Sequence, residues 1–136
     1  THDNKFKKLL LGLSYKSHIV KYVIWALALV FSGSNNFDVI KKVIKDSRSL
    51  GSERLDVLIF AFRRLMNHPI SDSLRKKLKK LLEEYAKTDP KYFLELIYAM
   101  FRGSRDYDIA RWFREVISIQ VVDDESVNRV VASIIS

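Results

Sequence analysis

The chain has 136 residues, 48% of them hydrophobic and 29% charged, which is enough to bury one core and too apolar for a disordered segment. It carries 24 Lys+Arg against 16 Asp+Glu, a net charge of +8, and has no cysteine. Disulfides, thiol nucleophiles, thiolate-held iron–sulfur clusters and cysteine zinc sites are therefore excluded. With only 4 Gly and 2 Pro there is little material for turn-rich β architecture. The three histidines, at positions 2, 18 and 68, share no metal-ligand spacing, and no cofactor is expected.

In chain order, Phe6, Leu9, Leu10 and Leu13 predict a short first helix ending near Ser14. A second helix is expected from about Ser17 to Phe31, stopped by the breakers and cap formers Ser32-Gly33-Ser34-Asn35-Asn36. It contains the longest apolar run, Tyr22 to Phe31, ten residues between Lys21 and Ser32. A bilayer span needs about 20, so this segment reads as a buried helix and no membrane partner is expected. A third helix runs from Phe37 to Asp46, with Phe37, Ile40 and Ile44 on one face and Lys41, Lys42 and Lys45 outside. A break at 47–52 precedes a fourth helix, Leu55 to Asn67, whose apolar character makes it the central one.

Pro69 closes that element, and Ser71-Asp72 caps a fifth helix, Ser73 to Lys87. Its stripe of Leu74, Leu78, Leu81, Leu82 and Tyr85 faces away from Arg75, Lys76, Lys77, Lys79 and Lys80. Pro90 takes the first position of a sixth helix, which Gly103-Ser104 breaks. A seventh is expected over about Arg105 to Val121, with a short strand over Val116 to Val122 as an alternative, and an acid-led last helix follows Asp123-Asp124-Glu125. The whole is expected to be one all-α domain, residues 1–136, of seven or eight helices with short connections. The x-Pro endings of the fourth and fifth elements hint at stacked α-hairpins. No export signal is visible at the start, which with the missing cysteines leads to the expectation of a cytoplasmic protein.

Charge is uneven along the chain. Residues 1–50 hold 9 basic and 3 acidic groups, residues 51–100 hold 10 and 7, and residues 101–136 hold 5 and 6. Such a surface attracts nucleic acid, nucleotides or acidic partners. No Gly-rich phosphate loop or Ser/His/Asp set is present, so the chain is not expected to be an enzyme. Asp106 and Asp108 lie two apart and do not face each other on a helix; they read as helix-dipole caps.

Four stretches carry the candidate binding residues. The segment 101–114 mixes arginine with aromatics: Tyr107, Arg111 and Arg114 share a helix face, Arg102 and Arg105 lie in the turn before it, and Trp112 is beside them. Guanidinium forks suit phosphates and an aromatic ring stacks a base; alternatively Trp112 and Phe113 belong to the core and the arginines to the wet side. On the fifth helix five cations fall within 75–80, offset by i, i+4 pairs Lys79–Glu83 and Lys80–Glu84 that a solvated face also shows. On the second helix Ser14, His18, Lys21 and Trp25 share a face, and Arg63 and Arg64 end the greasy fourth helix, where polar groups need an acid, a pocket or a ligand.

The stretch from Phe6 to Asp46 reads Lys8-Leu9-Leu10-Leu11-Gly12-Leu13, Ser17-His18, Lys21, Trp25 to Phe31, Gly33 and Phe37 to Ile44. It resembles the start of the C-terminal domain of the archaeal and eukaryotic DNA primase large subunit. The cluster cysteine that stands near Phe6 to Lys8 in that family is absent, and a cysteine-free version is similar to the small accessory, non-catalytic subunit of some archaeal primases. The resemblance implies a chain that helps bind the initiating nucleoside triphosphate or the 5′ end of a primer-template, DNA or RNA. Its partners would be the catalytic and large primase subunits. By position His18 and Lys21 match the family's basic helix, while the family's later arginine falls on Ile24. Two other classes fit the composition: an α-helical protein–protein adaptor using the fourth and sixth helices, and a small nucleic-acid-binding subunit of an RNA-guided effector complex.

Overall fold

The fold was analysed in a computed structural model, which describes residues 2–12, 19–66, 70–103 and positions 111, 112 and 116. All the elements in that range are helical: α1 (His2–Gly12), α2 (Val20–Val30), α3 (Phe37–Ser47), a 3-10 turn η1 (Arg48–Glu53), α4 (Arg54–Leu65), α5 (Asp72–Thr88) and α6 (Pro90–Gly103). The all-α expectation holds. Six α-helices are described; of the expected seventh helix only positions 111, 112 and 116 are described, all helical, and the expected last helix lies outside the described residues. The expected break at 47–52 is instead η1, which carries α3 into α4 with a kink at Gly51. Of the strand alternative, Val116 is helical and buried, and 117–122 lie outside the described residues.

The helix starts follow local chemistry. Asn36 Oδ1 accepts from the Asp38 and Val39 amides (3.0 and 3.3 Å), satisfying two orphan donors of α3. Ser71 Oγ accepts from the Leu74 amide (3.2 Å) at the start of α5. The carboxylate of Asp89 does the same for the Tyr92 amide, with Pro90 opening α6.

Contacts between helices set their directions. Lys21 meets Glu53, Trp25 meets Phe60 and the Gly33 amide donates to the Arg64 carbonyl (2.8 Å), so α2 and α4 run parallel. Arg54 pairs with Glu95 while Gly103 abuts residues 59–63, so α4 and α6 run parallel as well. Phe37 lies under Lys77 and Arg48 pairs with Asp89 (2.8 Å), which aligns α3 with α5. The result is two layers, α2/α4/α6 and α3/α5, built from successive α-hairpins; the hairpin hint in the proline spacing is realised as stacking.

The middle helix α4 buries Val57, Leu58, Ala61, Phe62 and Leu65 on one side, worth about 1.5–3 kcal/mol for each large side chain. Beneath it, the Tyr92 hydroxyl donates to the Ile44 carbonyl, tying α6 to α3, and burial pushes this phenol above its ordinary pKa so that it stays a donor. Arg54 forks onto Glu95 with bonds of 2.5 and 2.8 Å, half-buried between α4 and α6. Where α6 crosses α4, a Cβ on Gly103 would lie 2.8 Å from Phe62 Cβ and 3.1 Å from the Arg63 nitrogen and the Ile59 carbonyl oxygen. Alanine in a helix gains about 1 kcal/mol over glycine, but backbone atoms here cannot yield. Gly103→Ala is expected to lower unfolding free energy by about 1–3 kcal/mol in urea titration, against the propensity gain.

Candidate nucleotide and nucleic-acid interface

An aromatic row crosses the outer side of the α2/α4 layer. Tyr22 and Trp25 meet edge-on with centroids 5.6 Å apart, and Trp25 meets Phe60 at 6.2 Å. These three rings come together because Tyr22 and Trp25 lie one turn apart on α2 and the parallel α4 brings Phe60 alongside. Cations sit over them: Lys21 Nζ is 5.6 Å from the Tyr22 ring and 5.3 Å from Trp25, and the Arg64 guanidinium is 5.2 Å from Phe60. Lys21 also pairs with Glu53 at 3.3 Å. Trp25 and Phe60 wall a shallow groove floored by Val57, with Glu53 and Asp56 on its rim. Asp56, Phe60, Arg63 and Arg64 fall at i, i+4, i+7 and i+8 of α4, so one helix face runs from carboxylate through aromatic to guanidinium. Such a groove can hold a flat ring against Trp25, accept from its amino edge at the acidic end and hold an anion at the arginine end.

The sequence-predicted residues divide. Lys21 belongs to the cluster, and Arg64 closes it. Arg63 and Arg64 are exposed rather than buried, so the premise that the greasy helix leaves them in need of a partner is corrected: only one side of α4 faces the core, and both arginines end on the other. Arg102, exposed at the end of α6, joins Arg63 at the same pole because Gly103 packs on the Arg63 backbone. Arg111 is exposed. Trp112 is corrected: at 7% exposure it is part of the core, where no base can stack on it. His18, Arg105, Tyr107 and Arg114 lie outside the described residues. Ile24, where the resembled family has an arginine, is fully buried in the core.

Sequence reasoning missed Tyr22, Glu53, Asp56 and Phe60. The Asp56–Phe60–Arg63 spacing was available as a signal; the pairing of Phe60 with Trp25 was not, since it depends on α2 and α4 running side by side. Among the described residues no cluster of three His, Asp or Glu side chains is placed to hold a metal, and no helix is long and apolar enough to cross a membrane. Comparison of the chain with protein-family models, curated proteins and solved structures found no match.

The aromatic row should be energetically coupled. A double-mutant cycle of Trp25→Leu and Phe60→Leu, followed by thermal unfolding, is expected to give an interaction energy of about 0.5–1.5 kcal/mol.

Proposed function

We propose that this chain is a non-catalytic, nucleotide- and nucleic-acid-binding accessory subunit of a DNA primase, acting by position rather than by chemistry. The observation that carries the reading is the α2/α4 groove, where an aromatic wall separates an acidic rim from an arginine pole. A purine or pyrimidine stacks beside Trp25, its amino edge turned to Asp56 or Glu53, and its phosphates reach Arg63, Arg64 and Arg102. Along α4, Asp56 to Arg64 spans about 12 Å, enough for one nucleotide. In this reading, partner chains supply the metals and form the bond, while this chain lowers the entropic cost of holding the initiating triphosphate or primer 5′ end. The primase assignment itself comes from the resemblance of Phe6 to Asp46; the groove supports nucleotide binding.

A second reading, a protein adaptor, is favoured by a different observation. Phe6, Leu9, Ile19, Tyr22 and Leu29 are large, apolar and exposed on α1, α2 and the turn of chain leading into α2, unlike a face evolved for water alone. The two readings separate by salt response, because phosphate contacts weaken steeply with salt and apolar docking does not.

The test is fluorescence anisotropy with a template annealed to a short primer ending in a 5′-triphosphate or a 5′-hydroxyl. The expected result is tighter, salt-sensitive binding to the triphosphate end, with the preference reduced about tenfold by Arg64→Ala combined with Phe60→Leu. Equal binding to both ends, or a preference that survives that variant at matched salt, contradicts the reading.

A further inference from the structure

The other layer of the molecule presents a different surface. Between α3 and α5 lies a groove lined by Lys41, Lys77 and Lys80, with Asp38, Glu84 and the half-buried Phe37 among them. Beside it, Lys41 and Lys45 edge a second shallow depression between α3 and α1, together with Lys42, Asp38, Asp46 and Leu11. On α3 one i, i+4 pair of the kind that marks a solvated face is formed, Lys42–Asp46 at 3.3 Å, whereas on α5 none is. Among the described residues the side-chain ion pairs are Lys21–Glu53, Lys42–Asp46, Arg48–Asp89 and Arg54–Glu95, so Lys79 and Lys80 leave Glu83 and Glu84 unengaged. Lys41, Lys45, Lys76, Lys77 and Lys80 likewise form no ion pair with another described residue, and Lys77 lies 5.8 Å over the Phe37 ring.

We propose that this α3/α5 face is a sequence-independent track for the phosphate backbone of a nucleic-acid duplex. The geometry supports an extended polyanion over a compact one. Lys41 and Lys45 stand on successive turns of α3, and on the aligned α5 the exposed lysines from Lys76 to Lys87 cover about 16 Å. Duplex DNA offers a phosphate charge for about every 1.7 Å of its axis, so a stretch that long meets several at once, whereas a single triphosphate meets one end only. The exposed large apolar residues, Phe6, Leu9, Ile19, Tyr22 and Leu29, all lie on α1, α2 and the residue before α2. The ring that lines the lysine groove, Phe37, is half-buried and covered by Lys77, so the groove offers charge rather than an open stacking platform, which favours paired backbone over unpaired bases. The face lies in the layer opposite the aromatic groove. One nucleic acid can thus be held by its backbone on α3/α5 while the groove on α2/α4 takes a nucleotide end.

The choice of polyanion rests on the nucleic-acid reading above; the lysine geometry does not. The experiment uses the full chain and a blunt, fluorescently labelled DNA duplex with 5′-hydroxyl ends, titrated at salt concentrations from about 50 to 200 mM. The native chain is expected to bind with a steep negative slope of log affinity against log salt. Lys41→Gln/Lys77→Gln/Lys80→Gln should lose about 2–3 from that slope and at least about tenfold in affinity at low salt, with unchanged circular dichroism. Lys41→Arg/Lys77→Arg/Lys80→Arg should keep both. An unchanged slope in the glutamine variant, or no duplex binding by the native chain, overturns the proposal. Equal binding of poly-glutamate through the same lysines overturns it in favour of an acidic protein partner. A lysine-dependent duplex slope without any 5′-triphosphate preference sustains this face and removes the groove reading. The converse, a triphosphate preference with no lysine dependence, does the reverse.

Discussion

The structure depends on how closely α6 can lie against α4. Gly103 has no Cβ because the Phe62 side chain and the backbone of Ile59 and Arg63 occupy that space. This contact, with the Arg54–Glu95 fork nearer the helix starts, fixes α6 parallel to α4. The same α4 accepts α2 on its other flank, where the Arg64 carbonyl takes the Gly33 amide. Gly33 sits at φ 72°, in the left-handed region that glycine enters without strain, which lets the chain leave α2 and return into α3. A helix held from both sides presents its remaining strip in one orientation only. That strip carries Asp56, Phe60, Arg63 and Arg64.

Much of the fold was legible in the sequence because it is locally encoded. The 3.6-residue stripe of Leu74, Leu78, Leu81 and Leu82 became the buried side of α5, and Asn36, Ser71 and Pro90 mark helix starts by the hydrogen bonds they make or cannot make. The apolar fourth helix is indeed in the middle. The candidate site was less legible. Arg63 and Arg64 looked stranded in a greasy helix, yet Val57, Leu58, Ala61, Phe62 and Leu65 put only one side of α4 in the core and leave the arginines in water. Trp112 and Trp25 are indistinguishable as letters; one is core and the other walls a groove beside Phe60 of the parallel α4, which no local pattern encodes. Ion pairing on α5 was expected from spacing and is not formed, since i, i+4 proximity permits a pair worth only a few tenths of a kcal/mol and does not enforce it.

In the proposed reading the two layers divide the labour of recognition by chemistry. One has rings, carboxylates and arginines, which suit a nucleotide end; the other has lysines in rows, which suit charge density and not sequence. Both kinds of surface are cheap for a basic helical domain to display, because the cations occupy positions the core does not need. Within the groove on α2/α4, Lys21 is shared between the Tyr22 and Trp25 rings and Glu53. A ligand entering the groove therefore competes with an existing cation–ring contact, which gives the site a spectroscopic handle.

The central claim is that a nucleotide base stacks beside Trp25. The most direct measurement is intrinsic fluorescence during titration with a nucleoside triphosphate, in chains retaining only one of the two tryptophans. Saturable quenching is expected in Trp112→Phe, where Trp25 is the sole reporter, and none in Trp25→Phe. Quenching carried by Trp112 alone, or no saturable change in either chain, would contradict that claim.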